Sequence, residues 1–118
     1  LETKNMEIKP ICSLDDFDKL DIRVGTITKC EMHPNADRLL VFQVDFGEFQ
    51  RQIISSIAMY YKPEDLVGKQ VCAIVNLEPH KFRGLESNGM LLCAENKEDT
   101  MLSLVSTLEK IQNGLYIA

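Results

Sequence analysis

Between Asp21 and Leu77 the apolar positions of this chain recur mostly every second residue, the period of a half-buried strand. Ile22 and Val24 alternate with Arg23 and Gly25, and the phase then slips at Gly25-Thr26 before Ile27, which predicts a bulge or sharp coil in a long first strand. A small sheet needs a first strand of that kind to close on itself. Leu40, Phe42, Val44 and Phe46 share one face of a second strand, opposite Val41, Gln43 and Asp45. Gly47-Glu48 makes a tight hairpin into a third strand, Phe49 to Ile54. Val71, Ala73, Val75 and Leu77 alternate with Cys72, Ile74 and Asn76 as a fourth. Met90 to Ala94 reads as a fifth strand and Met101 to Val105 as a short sixth.

Departures from this period are brief. Ser13-Leu-Asp-Asp16 has the form of a capping box with aspartate in place of glutamate. Leu14, Phe17 and Leu20 then recur at three-residue spacing, so a short helix is predicted from about Ser13 to Lys19. It is too short to stand alone, and its apolar stripe must dock on the core or on a second subunit. Ser56 to Tyr61 reads as a helical turn stopped by Lys62-Pro63, and Pro63 to Leu66 restarts one that ends at Gly68. Residues 1–12 are polar, contain Pro10 and read as a lead-in or linker; residues 13–118 read as one domain. The tail carries Leu108, Ile111, Leu115 and Ile117 and is expected to pack on the barrel or across a dimer. The sum is an all-β fold with minor helix: a five-stranded Greek-key barrel of the oligonucleotide/oligosaccharide-binding (OB) type, with a short N-terminal helix and a helical turn between strands three and four.

One stretch does not fit a short connection. Asn76 to Met90 leaves one apolar run and enters another, and reads as a long loop holding His80, Lys81, Arg83, Phe82, Ser87 and Asn88, with turn glycines Gly84 and Gly89. Long ordered connections in small domains tend to carry function. In an extended segment Lys81 and Arg83 project the same way and Phe82 oppositely, toward the core or onto a base. Ser87, Asn88 and the amides near Gly89 can donate to phosphate or ribose oxygens. Met90 either caps a base with its thioether or belongs to the core. Arg38, after the His33-Pro-Asn loop, and Arg51, on the third strand, are placed for phosphate or are solvated surface arginines. Asn76 either pins the loop or reads a base edge.

Composition narrows the chemistry. A net charge of −5 in 118 residues argues against a protein that coats nucleic acid nonspecifically, while leaving room for a compact basic site. The four cysteines, Cys12, Cys30, Cys72 and Cys93, form no C-x-x-C pair, and the two histidines lie near no cysteine pair; buried thiols rather than a metal site are expected. Unpaired cysteines, no signal-peptide pattern and no apolar run near the ~20 residues that span a bilayer point to a cytoplasmic protein without membrane contact. No nucleophile–base pairing, carboxylate pair or Walker-type glycine cradle stands out, so the chain is read as a binding module without catalytic residues or cofactor.

Four motifs taken together resemble a known family. Asp21-Ile-Arg-Val-Gly25, His33-Pro-Asn-Ala-Asp-Arg-Leu39, Ser56-Ile-Ala-Met-Tyr-Tyr-Lys-Pro-Glu-Asp-Leu-Val-Gly-Lys69, and Asn-Leu-x-Pro-x-Lys-x-Arg-Gly-x-Glu-Ser-x-Gly-Met from Asn76 are similar to the tRNA-binding domain family. That family includes the C-terminal appendage of bacterial methionyl-tRNA synthetase, free-standing structure-specific tRNA-binding proteins and secretion-chaperone-like proteins. The resemblance covers about Asp15 to Ala94. It implies an OB-fold that binds tRNA by shape, commonly as a homodimer built from N- and C-terminal segments. It puts the RNA contacts on Asn76, Lys81, Arg83, Ser87 and Met90, with Arg38 and Arg51 in support. Ser55-Ser56-Ile-Ala stands where the family often has Ser-Gly-Ile-Ala, a change that removes backbone freedom. The Tyr-Tyr-x-Pro-Glu-Asp-Leu-Val-Gly-Lys run resembles the methionyl-synthetase branch, so tRNA, a second copy and a separate synthetase catalytic domain are the implied partners. The alternative implied is a dimeric secretion-chaperone-like peptide-binding protein. A purely structural oligomerisation arm is a third reading.

Overall fold

The two-residue period is realised in a computed structural model that describes residues 7–118; residues 1–6 of the predicted lead-in lie outside the described residues. A short helix, α1 (Leu14–Asp18), stands where its capping pattern predicted, with the Asp16 carboxylate accepting the Ser13 N–H at 3.3 Å. Its apolar stripe does not dock on the core of its own chain: Leu14 is 75 % exposed, and Phe17 and Leu20 are also left accessible.

Four strands follow: β1 (Ile22–Met32), β2 (Leu40–Asp45), β3 (Gln50–Ser55) and β4 (Gln70–Ile74). β1 is long enough to serve two partners, its first half pairing antiparallel with β4 and its second half with β2. The strand's irregularity falls between Ile27 and Lys29, not at Gly25-Thr26 as the phase slip suggested; Gly25 stays in register opposite Val71. Its missing side chain has a packing reason. A Cβ there would stand 2.6 Å from Val44 Cγ1 and 2.8 Å from the Phe46 ring.

The predicted apolar face of β2 is the heart of the core: Leu40, Phe42 and Val44 are fully buried against Ile27, Ile53, Val71 and Leu91. β4 is buried on both faces, and stops at Ile74 rather than running to Leu77. Its Cys72 and Ile74 form a second cluster with Ile22, covered by Val105 and Ile117. The tail reaches that cluster through its backbone. Val24 N–H donates to Leu115 O at 3.0 Å, Gly114 N–H to Val24 O at 2.8 Å and Ile117 N–H to Ile22 O at 2.8 Å. Leu108 remains fully exposed, so the tail's side chains are only partly absorbed.

Between β3 and β4, Ser56 to Tyr61 supplies a single turn closed by Tyr60 N–H to Ile57 O (3.0 Å), and Pro63–Asp65 a 3-10 turn. Ser56 does not adopt the positive φ that glycine would permit, which explains how serine is tolerated there.

The stretch from Asn76 to Met90 is not a loop. It is a hairpin, β5 (His80–Phe82) with β6 (Leu85–Ser87), turned by Arg83 (φ 51°) and Gly84 (φ 91°). Two consecutive positive φ values mark the type I′ turn that suits the strand twist. Beyond it the predicted fifth strand splits into β7 (Met90–Leu91), which pairs with β4, and β8 (Cys93–Glu95), which pairs with β9 (Leu102–Leu104).

The main sheet runs β3-β2-β1-β4-β7 and curls until its two ends meet. At that seam Asn88 N–H donates to Gln52 O (2.7 Å) and Ile54 N–H to Ser87 Oγ (2.9 Å). The result is a nearly closed five-stranded OB-type barrel. Gly25→Ala is expected to lower unfolding stability by about 1–3 kcal/mol through overpacking against Val44 and Phe46. An unchanged denaturant midpoint would show that those side chains yield freely.

Candidate functional site

Two connections meet at one end of the barrel: the loop 33–39 between β1 and β2, and the β5–β6 hairpin. They are tied together by hydrogen bonds. His33 Nε2 lies 2.8 Å from Phe82 O, and Arg83 Nη1 donates to Asn35 O at 3.4 Å. The hairpin's other end is held at the barrel seam by Ser87, Asn88 and Gln52, whose Nε2 donates to Glu86 O at 2.8 Å. Both ends of the hairpin are therefore fixed by polar contacts rather than by apolar burial.

The seven sequence-predicted residues separate into three groups. Lys81, Arg83, Arg38 and Met90 are exposed. Lys81 and Arg83 are solvent-exposed, and among the described residues neither forms an ion pair. Lys81 stands in register opposite Glu86, which tempers its local field. The expectation that Lys81 and Arg83 project together from an extended segment does not hold, because Arg83 sits in the turn with left-handed backbone and breaks the alternation. Arg38 and Met90 line a groove of about 870 Å³ with Phe82, Ser56, Tyr60 and Asp99. Of the two positions left open for Phe82, the structure shows a half-buried ring on the groove wall, 4.8 Å from the His80 ring.

Ser87 and Asn76 form the second group, and both are engaged internally. Ser87 is only 3 % exposed; its hydroxyl accepts from Ile54 N–H and donates to Gly89 O at 3.3 Å. The expectation of a free donor at Ser87 is thus corrected. Asn76 is a pin, but for the N-terminal segment rather than the hairpin: its Oδ1 accepts from Asp21 N–H and its Nδ2 donates to Lys19 O, both at 2.8 Å. Arg51 stands alone, its guanidinium 4.8 Å from the Phe49 ring centroid and its Nε buried, with no hydrogen-bond partner among the described residues.

Sequence reasoning missed three positioning groups. His33 is buried, although it was noted only as part of a loop. Tyr60 and Tyr61 hold the C-terminal hairpin beside the groove: Tyr60 OH donates to Asp99 O at 2.7 Å, and Tyr61 OH accepts from Leu104 N–H at 3.1 Å. Adjacent tyrosines after a turn are a signal for such paired anchoring, though not for the partner. Cys30, Cys72 and Cys93 show no nucleophilic setting. Burial pushes Cys30 up to about 11, with Glu31 adding to it, and burial likewise raises Cys72 and Cys93. No three of His, Cys, Asp and Glu converge as metal ligands among the described residues.

Comparison with known proteins adds the family. A family model described as "Putative tRNA binding domain" matches residues 22–115. The methionine–tRNA ligase of Bacteroides fragilis is 52 % identical over 116 residues, which take in 96 % of this chain but 17 % of that enzyme. The chain therefore spans about one-sixth of the length of such a relative. Among solved structures, a methionyl-tRNA synthetase-related protein from Pyrococcus horikoshii superposes with a TM-score of 0.87 at 34 % identity, covering 93 % of this chain and all of that one. The chaperone CsaA of Bacillus anthracis superposes with a TM-score of 0.83 at 32 % identity, covering 92 % and 100 %.

Ser87→Ala is expected to cost about 1–3 kcal/mol of stability, because it leaves the Ile54 N–H unpaired at the seam. Chemical denaturation checks this, and a native-like midpoint would show that the seam does not need the hydroxyl.

Proposed function

The chain belongs to the tRNA binding domain family, and on that premise we propose that it is a structure-specific tRNA-binding module, acting as an appendage of methionyl-tRNA synthetase or as a free-standing protein. The observation that carries this reading is the tip of the β5–β6 hairpin. Lys81 and Arg83 are presented there without ion-pair partners among the described residues, beside a groove edged by Phe82, Met90 and Arg38. Cations fixed on a rigid edge suit phosphates, and an aromatic with a thioether suits an unstacked base. Asn76 and Ser87 act in support, by holding backbone in place. Arg51 contributes from a separate part of the barrel.

The net charge of −5 keeps the attraction local, so binding is salt-sensitive and reads shape rather than sequence. Any ligase activity belongs to a separate catalytic domain, and the setting is the cytoplasm. A second reading, peptide capture, is favoured by the groove's apolar lining, by its acidic edge at Glu95 and Asp99, and by the likeness to the CsaA chaperone.

We propose further that the module is a homodimer. Phe17, Leu20 and Tyr116 stay exposed around a cleft of about 340 Å³ where α1 meets the tail, and Leu14, Leu108 and Ile111 are also uncovered. Large apolar side chains left exposed around one cleft mark a candidate interface.

Replacing Lys81 and Arg83 together by alanine should weaken tRNA binding by about tenfold or more and lower the salt dependence of log K by about one to two. Mobility-shift titrations across salt concentrations measure both, and unchanged retention would overturn the site assignment. Running the same titration with unfolded polypeptide separates RNA from peptide binding. In sedimentation equilibrium the wild type should weigh twice the 13.4 kDa of one chain, and Phe17→Asp with Tyr116→Asp should return it to monomer. A wild type at single-chain mass removes the dimer.

A further inference from the structure

We infer that His33 is the positioning residue of the proposed RNA site, tying the 33–39 loop to the β5–β6 hairpin and so setting where Phe82 and Arg83 stand before any ligand arrives. The inference rests on the tRNA reading for its functional readout. Its structural part stands on the hydrogen bonds alone.

His33 is 4 % exposed, one of two buried polar side chains among the described residues. Its two ring nitrogens have different partners. Nδ1 accepts the Asn35 N–H at 3.0 Å, so it carries no proton. Nε2 lies 2.8 Å from Phe82 O, an oxygen that can only accept, so Nε2 carries the proton and donates it. Geometry fixes one neutral tautomer. The backbone of His33 also closes its own loop, with its N–H donating to Leu39 O at 3.0 Å.

Asn35 completes the device. Its N–H goes to His33 and its carbonyl accepts from Arg83 at 3.4 Å. Because Phe82 and Arg83 are neighbours, the hydrogen bonds Phe82–His33–Asn35–Arg83 close a ring through one peptide unit. That ring grips the hairpin at its turn, where Arg83 holds a left-handed conformation unusual for a residue other than glycine, asparagine or aspartate. The opposite end of the hairpin is already anchored at the seam by Ser87 and Asn88. Without the His33 donor the turn keeps only the longer Arg83–Asn35 contact, and the hairpin can pivot about its seam anchor.

Two conservative substitutions divide the ring's two nitrogens. A glutamine amide reaches the place of Nε2, whereas an asparagine amide reaches only that of Nδ1. His33→Gln therefore keeps the bond to Phe82 O, and His33→Asn keeps only the bond inside the loop. Loss of one buried hydrogen bond corresponds to about a five- to tenfold change. We expect His33→Asn to bind tRNA about tenfold more weakly than wild type and His33→Gln to stay within about threefold, with both unfolding cooperatively. Amide exchange provides an arm free of RNA: β5–β6 amides should lose protection in His33→Asn and keep it in His33→Gln. Long-range nitrogen–proton correlation spectra of the wild type should show a protonated Nε2 and a bare Nδ1.

Equal behaviour of the two variants, in exchange and in binding, overturns the inference, as does a wild-type ring protonated on Nδ1. A wild type that does not bind tRNA defeats the functional reading instead, and the exchange arm then still decides whether His33 positions the hairpin.

Discussion

The closure of the barrel depends on one short run of residues, Ser87-Asn88-Gly89. A five-stranded sheet has two edges, and an open edge is a row of unpaired backbone groups. Here the edge of β3 is met by Asn88 N–H on Gln52 O and by Ser87 Oγ beneath Ile54 N–H. Gly89 follows with φ 130°, and a Cβ there would lie 2.8 Å from Ile74 O and 3.1 Å from Ile53 Cδ1. Only a residue without a side chain lets β7 begin that close to β3 and β4. The polar hairpin and the apolar core are therefore not separate designs. The residues that end the β5–β6 hairpin also close the barrel.

That coupling explains how polar residues divide between tasks. A neutral donor such as Ser87 or Asn76 lies where backbone needs satisfying, and each already has its internal partners. The side chains of Lys81 and Arg38 have no such partners among the described residues and are exposed to solvent. In a chain of net charge −5, the phosphate site proposed above is thus small, confined to where the hairpin and the 33–39 loop converge.

Much of this was legible in the sequence, and the boundary of legibility has a physical reason. Alternation reports burial, so Leu40, Phe42, Val44 and Phe46 announced the core directly, and the Ser13–Asp16 spacing announced α1. Gly25 was read as a bulge because phase slips and close packing leave the same mark; the contact with Val44 and Phe46 is visible only in three dimensions. Asn76 to Met90 was read as a loop because its strands are three residues long and its turn begins with arginine instead of the asparagine or aspartate usual for type I′. Ser87 looked like a free donor because sequence carries no sign of Ile54, 33 residues away, which it caps. His33 passed as loop composition for the same reason: its partner Phe82 is 49 residues off.

A hairpin of three-residue strands has little intrinsic stability, and an isolated two-stranded ribbon is marginal in water. If it were held only by its own cross-strand bonds, ordering it would weigh against each binding event, and binding would weaken accordingly. The barrel seam at one end and the His33–Asn35 loop at the other remove most of that disorder in advance. In the RNA site proposed above few cations are available, and what the two anchors hold still is the backbone that carries Lys81 and Arg83. This is also why the left-handed Arg83 can be tolerated: a turn anchored on both sides can carry a conformational cost of about 1 kcal/mol that a free hairpin would relieve by fraying.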